Sequence, residues 1–136
     1  GKNPVNWGRL DAPDFTHEEK NLSCGEEVII DFCFGANDSV EEIGFEAEGR
    51  LVTIAAMSLL SEELEGEPLE KIESIHKDDL MELLEVEQLS PRRLKSAVLG
   101  LLAVKNAYRR RQGLEPLDFG DLIDESEADA DAAEET

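Results

Sequence analysis

The residues most able to do chemistry in this chain are its two cysteines, Cys24 and Cys33. A cysteine thiolate is a nucleophile and a ligand for metal ions. The two cysteines share one strand-like stretch, and their spacing is not typical of a disulfide framework. His17 and His76 have no second His or Cys at ligand spacing. Because the sequence contains no glycine-rich phosphate loop, nucleophile elbow or metalloprotease helix, it does not predict an enzyme.

The charge of the chain limits its partners. Lys and Arg number 13 against 33 Asp and Glu, for a formal net charge of -20. Such a surface repels phosphate backbones, so we expect no nucleic-acid partner and no anionic membrane partner. A basic protein partner and a high-salt habitat both remain as explanations of this acidity. The sequence has no apolar run of membrane-spanning length and no secretory signal pattern, so we expect a reduced, cytoplasmic protein.

Hydrophobic periodicity predicts a hairpin followed by helices. Apolar residues alternate over Glu26–Phe34 and again over Val40–Glu48, which predicts two antiparallel strands. The turn-forming residues of 1–23 predict an extended entry with little helix. Beyond Gly49 the period changes to that of a helix, which ends at Gly66. Residues 69–86 predict one or two short helices, and the longest helix is expected at 91–112.

The end of the chain has a different composition. Residues 114–136 contain no Lys or Arg and finish in a run of Asp, Glu and Ala. We therefore predict an α+β domain over 1–112 and a disordered acidic tail over 113–136. The start of that tail, residues 117–123, mixes apolar and acidic residues. It is either a docking motif or a segment that packs back on its own domain or stays loose.

Four short segments, in order, resemble the iron–sulfur cluster scaffolds of the NifU/IscU/SufU family. They are the Asn-Pro stretch at 3–8, the Cys-Gly-Glu segment at 24–26, the strand-to-helix segment at 45–55 and the segment at 89–99. The resemblance covers roughly residues 2–110. It implies a small antiparallel sheet of about three strands packed against several helices, of which the sequence itself indicates two strands.

The resemblance also implies a site and partners. In this family a cysteine desulfurase delivers sulfur to a scaffold that holds an iron–sulfur cluster or, in some members, a zinc ion. Three cysteines and one carboxylate line the family's site. The matching positions here are Cys24, Glu26, Arg50 and Ser96, with Lys95 adjacent.

The matched residues differ from the family's ligands. Cluster iron requires thiolates, a serine hydroxyl does not ionise near neutral pH, and a guanidinium has no lone pair to donate. We therefore expect no cofactor on the chain alone; residual zinc or iron, or a cluster, held by Cys24 and Glu26 would require outside ligands. Two interpretations remain. Either Arg50 and Glu26 form an ion pair and Cys24 is inert, or Arg50 and Lys95 favour the Cys24 thiolate as a persulfide acceptor.

The resemblance thus implies a protein of iron–sulfur cluster assembly or sulfur trafficking, and the residues themselves give no catalytic constellation, so we expect no enzyme. The leading hypothesis is a degenerate scaffold that binds protein partners, such as a cysteine desulfurase or a larger complex. The alternatives are a metal-independent persulfide carrier that uses Cys24 and a purely structural protein-binding module.

Overall fold

The computed structural model describes residues 4–124, which form one three-stranded antiparallel sheet with helices packed on one face. The strands follow the chain in the order β1-β2-β3. Their bounds are Phe15–Asn21 for β1, Glu26–Phe34 for β2 and Val40–Glu48 for β3. The α+β class and the three-stranded sheet are therefore confirmed. The predicted extended entry contains β1, which the residue pattern did not indicate.

The helices follow the strands. They are α1 at Leu51–Leu64, α2 at Lys77–Leu83, α3 at Pro91–Arg111 and α4 at Phe119–Leu122, with a 3₁₀ helix at Leu69–Ser74. Ser90 caps α3, because its hydroxyl accepts a hydrogen bond from the backbone N–H of Arg93 at 3.3 Å. Among residues 4–124, none of the helices is both long enough and apolar enough to cross a bilayer.

The core lies between the inner face of the sheet and the long helices α1 and α3. Alternate residues of β2 and β3 point inward and are almost fully buried: Val28, Ile30, Phe32, Ile43 and Phe45. Gly100 lets α1 and α3 approach closely, since a Cβ at this position would lie 3.2 Å from Met57 Sδ. The tight contact between these helices fixes the first turn of α1 against α3, where the site lies.

The N-terminal segment is fastened to β3. Asn6 and Gly8 exchange backbone hydrogen bonds with Phe45 at 3.1 and 2.7 Å. The Asn6 side chain donates to Ser61 Oγ on α1 at 2.8 Å. Gly44 must lack a side chain, because a Cβ there would lie 2.4 Å from the Gly8 carbonyl oxygen. These contacts give a structural reason for the Asn-Pro-x-Asn-x-Gly segment.

The C-terminal segment packs on α3 beyond the predicted domain boundary at residue 112. Asn106 accepts from the backbone N–H of Leu117 at 2.7 Å and donates to its carbonyl at 3.0 Å. Ile123 is 5% exposed and packs with Leu94 and Val98. Of the outcomes expected for residues 117–123, packing on the same domain is the one observed. The rest of the predicted disordered tail, residues 125–136, lies outside the described residues.

Candidate functional site

A buried carboxylate occupies the junction between the sheet, α1 and α3. Glu26 is 5% exposed. Its Oε2 accepts a hydrogen bond from the backbone N–H of Arg50 at 3.3 Å and lies 3.2 Å from Thr53 Oγ1. Its Oε1 accepts from the Ser96 hydroxyl at 3.1 Å. Three groups from two helices therefore surround one carboxylate.

Local structure places each of these groups. Glu26 is the first residue of β2 and pairs in register with Asn21 of β1. Arg50, the N-cap residue of α1, supplies its backbone N–H, and the first turn of α1 supplies the Thr53 hydroxyl. The N-terminal end of a helix favours negative charge. Gly49 makes room for the carboxylate, because a Cβ there would lie 2.9 Å from Glu26 Oε2.

The guanidinium of Arg50 does not contact the Glu26 carboxylate. Arg50 is exposed, and the atom that contacts Glu26 is its backbone nitrogen. Within residues 4–124 the guanidinium makes no ion pair with Glu26. The interpretation that Arg50 and Glu26 form an ion pair is therefore replaced by a network in which hydroxyls and a backbone N–H satisfy the carboxylate.

Cys24 lies at the surface in the tight turn between β1 and β2. Gly25 adopts a φ of 68°, a left-handed conformation that glycine tolerates best. The Cys24 N–H donates to the Asn21 carbonyl at 3.2 Å, and its thiol is exposed, 3.8 Å from Ser23 Oγ. The turn thus presents the thiol to solvent while Glu26, two residues later, points into the core.

Lys95 lies beside an aromatic ring and not beside the Cys24 thiol, which is where one interpretation of the sequence places it. Its ammonium lies 5.3 Å from the centroid of the Phe119 ring in α4, at cation–π distance. The structure therefore brings Glu26, Ser96 and the main chain of Arg50 together. It shows no contact of Cys24 with the charged groups of Arg50 or Lys95, and the ligand role of these positions stays a prediction.

The described part of the chain contains no ready-made metal site. Across residues 4–124, no group of three or more His, Cys, Asp and Glu side chains is arranged to hold a metal ion. At the four matched positions, the available donors are one exposed thiol, one carboxylate that already accepts hydrogen bonds, and one hydroxyl that donates to it.

The sequence model of the family described as "NifU-like N terminal domain" matches residues 2–114. The chain belongs to this family. The chain is also 30% identical over 119 residues to the iron-sulfur cluster assembly scaffold protein IscU of Azotobacter vinelandii. That match covers 83% of this chain and 91% of the relative. Both matches therefore place this protein in the NifU-like family of iron–sulfur cluster assembly scaffolds.

Other relatives differ in length and in name. The zinc-dependent sulfurtransferase SufU of Bacillus subtilis is 27% identical over 128 residues, covering 82% of this chain and 86% of that protein. A trigger factor of Gluconacetobacter diazotrophicus is 31% identical over 129 residues, covering 90% of this chain. The chain spans 29% of that trigger factor's length.

Solved structures show the same fold. The N-terminal part of a nitrogen-fixing NifU-like protein from Brucella abortus superposes with a TM-score of 0.68 at 17% identity. That match covers 82% of this chain and 88% of the other. The architecture of the NifU-like family is thus present in this chain.

Two residues of the site were not predicted from the sequence. Thr53 and Gly49 lie inside the segment that resembles the NifU-like family, but the sequence assigns them no role. Their importance depends on how closely α1 approaches Glu26. The only local signal was a glycine at the junction between a strand and a helix.

Proposed function

We propose that this protein acts in iron–sulfur cluster assembly as a degenerate scaffold, which works through protein partners and holds no cluster by itself. One observation carries the proposal: the Ser96 hydroxyl donates a hydrogen bond to Glu26 at 3.1 Å. Glu26 and Ser96, two positions that the family resemblance assigns to ligands, are therefore hydrogen-bonded to each other. Glu26 accepts hydrogen bonds from the Ser96 hydroxyl and the Arg50 N–H and lies 3.2 Å from Thr53 Oγ1. It would lose these contacts if it turned outward to a metal ion.

The donor set does not fit a cluster. Cluster iron is held by thiolates, typically four per cluster. Cys24 supplies one thiol, whereas the Arg50 guanidinium carries a fixed positive charge and has no lone pair. We therefore assign no step of the function to a cluster bound by this chain alone.

Exposed leucines support action through partners. Leu22 is 86% exposed and Leu51 is 85% exposed. Leu22 precedes Cys24 in the β1–β2 turn, and Leu51 follows Arg50 at the start of α1. Because Glu27 pairs with Glu48, the β1–β2 turn and the β3–α1 junction lie at the same end of the sheet. Two apolar side chains at the matched site suit a protein interface, with a cysteine desulfurase as our proposed partner.

The test restores the missing thiols. The wild type, Cys24→Ala and the double variant Arg50→Cys/Ser96→Cys are reconstituted anaerobically with iron and sulfide. Iron, sulfide and zinc contents and visible absorption are then measured. We expect little bound metal on the wild type and on Cys24→Ala, and a gain of cluster absorption in the double variant. A stoichiometric cluster on the wild type that disappears in Cys24→Ala would overturn the proposal.

The exposed thiol of Cys24 favours a second candidate, a persulfide carrier. In that reaction the Cys24 thiolate attacks the outer sulfur of a desulfurase persulfide. A new S–S bond forms on Cys24, the old S–S bond breaks, and the desulfurase cysteine leaves as a thiolate. Mass spectrometry after incubation with a desulfurase and free cysteine should then show one added sulfur atom that is lost in Cys24→Ala. It should persist in Cys33→Ala, because the Cys33 thiol lies against the Ala12 carbonyl at 3.5 Å.

A further inference from the structure

The sheet face opposite the helices carries a groove that the proposed function does not use. Its volume is about 290 Å³, and two apolar residues in its lining are Trp7 and Ile29. Ile29 is flanked in register by Glu18 on β1 and Glu46 on β3. Neighbouring residues of a strand point to opposite faces, so this outer groove lies on the other side of β2 from Glu26.

Four glutamates surround the apolar lining. Glu18, Glu27, Glu46 and Glu48 all line the outer groove, and all four are exposed. Glu27 lies directly opposite Glu48 in the β2–β3 register. Like charges in this cross-strand arrangement destabilise a sheet. The arrangement is therefore unfavourable for the isolated chain and would be relieved by a cation placed between the strands.

Among residues 4–124, few cations lie close to this groove. Lys20 Nζ lies 3.9 Å from Glu27 Oε2, and both side chains are about half exposed, so the pair is weak. The nearby Arg9 donates two hydrogen bonds to Asp31, of 2.6 and 3.1 Å, and its charge also attracts Glu18 and Glu46. Asp31 already offsets the charge of this arginine. The four carboxylates thus keep a substantial excess of negative charge beside an apolar strip.

We propose that the outer groove binds a basic segment of a partner protein. An arginine of that segment would place its guanidinium between the carboxylates of β2 and β3, since a guanidinium can bond two carboxylate oxygens at once. Its methylene stem, or a neighbouring apolar residue, would cover Ile29 and Trp7. Charge complementarity and the apolar strip together favour this occupant.

A second copy of the chain fits this groove less well. The arginines at the end of α3 are already engaged within their own molecule. Arg110 donates to the Thr16 carbonyl at 2.8 Å, and Arg111 lies 4.1 Å from the centroid of the Phe34 ring. These side chains would have to give up internal contacts to reach another molecule.

The experiment uses the single tryptophan of the chain, Trp7, as a reporter. The probe is a short peptide of alternating arginine and leucine, added to the full-length protein at about 150 mM salt, where non-specific attraction is screened. Binding is followed by tryptophan fluorescence and by backbone amide shifts in NMR. We expect saturable binding, with shifts concentrated around Trp7, Ile29 and Glu46.

Matched variants decide the interpretation. Glu27→Gln/Glu46→Gln should weaken binding at least tenfold, whereas Glu62→Gln/Glu63→Gln, which removes the same charge from α1, should change it less than twofold. Equal weakening by both pairs, or shifts that avoid the groove, would overturn the proposal in favour of general charge attraction. Sedimentation that shows dimers lost only in Glu27→Gln/Glu46→Gln would also overturn it, with a second copy as the occupant.

Discussion

At the residue scale, the site depends on the absence of one side chain. Gly49 is not in the left-handed region, so it is required for space and not for backbone conformation. A Cβ at this position would lie 2.9 Å from Glu26 Oε2 and 3.3 Å from Thr53 Oγ1. Any larger residue must therefore displace the buried carboxylate from its hydrogen bonds.

Gly49→Ala should lower the free energy of unfolding by about 1–2 kcal/mol, through overpacking and weakened hydrogen bonds to Glu26. Urea unfolding measures this change. The control is the same Gly49→Ala change made in a Glu26→Ala variant, which lacks the obstructing carboxylate. There Gly49→Ala should lower the free energy of unfolding much less. If the two changes are additive, Gly49 does not act through Glu26.

At the element scale, the apolar strands and helices were predictable and β1 was not. The predicted bounds of β2 and β3 match the structure, because their buried residues alternate along the strand. In β1 the inward positions include Glu19 and Asn21, so no apolar alternation exists. Glu19 is satisfied across the core by the Asn106 amide at 2.9 Å. A strand whose inner face is polar can be recognised only when its distant partner is known.

The same limit applies to the site. The family resemblance assigned Glu26 and Ser96 to one site, and the structure places them in contact. Which atoms of Arg50 face Glu26 depends on the direction in which α1 leaves the sheet. That direction is set by tertiary packing, so the backbone contact could not be deduced from the residue type.

The N-terminal segment is connected to β2 through Asp31, a fully buried carboxylate. It accepts hydrogen bonds from Arg9, from the Leu10 N–H at 3.0 Å and from the Thr16 hydroxyl at 2.6 Å. Burial alone would raise the pKa of Asp31, but the hydrogen bonds from Arg9, Thr16 and Leu10 outweigh it and hold the pKa below 3.8. This element is therefore sensitive to acid.

Asp31→Asn should lower the free energy of unfolding by about 2 kcal/mol at neutral pH, since it weakens charged hydrogen bonds. The stabilisation by Asp31 is complete above the unfolded-state pKa near 3.8. It is lost as the pH falls through the lower folded-state value. We therefore expect the difference in the free energy of unfolding between the wild type and Asp31→Asn to narrow below about pH 4. Denaturant unfolding of both proteins between about pH 7 and about pH 2.5 measures this difference. Asp11→Asn, at an exposed position, is the control, and a gap that stays constant would contradict this account.

In the molecule as a whole, several of the few cations are engaged in contacts with their own chain. Lys105 is largely buried and donates to the Ile72 carbonyl at 3.0 Å, and burial is the main reason that its pKa is lowered. Arg110 and Arg111 hold β1 and the hairpin through a carbonyl and an aromatic ring. With 13 Lys and Arg against 33 Asp and Glu, the chain keeps a large excess of negative charge, which a basic partner would complement.

The contacts of residues 113–124 with α3 determine how far the folded unit extends. Residues 113–124 cover Leu94 and Val98 with Ile123 and bond to Asn106, so they should belong to the cooperative unit. A chain that ends at residue 112 should lose about 3 kcal/mol of unfolding free energy, from an exposed apolar patch and the loss of both hydrogen bonds between the Asn106 amide and Leu117. A chain that ends at residue 124 should stay within about 0.5 kcal/mol of the full chain. Ile123→Ser in the full chain should reproduce most of the loss of unfolding free energy. Thermal and urea unfolding of the full chain, the two shortened chains and Ile123→Ser measure these differences. If the chain ending at residue 112 were as stable as the full chain, the domain would end where the sequence predicted, and the contacts on α3 would contribute nothing to folding.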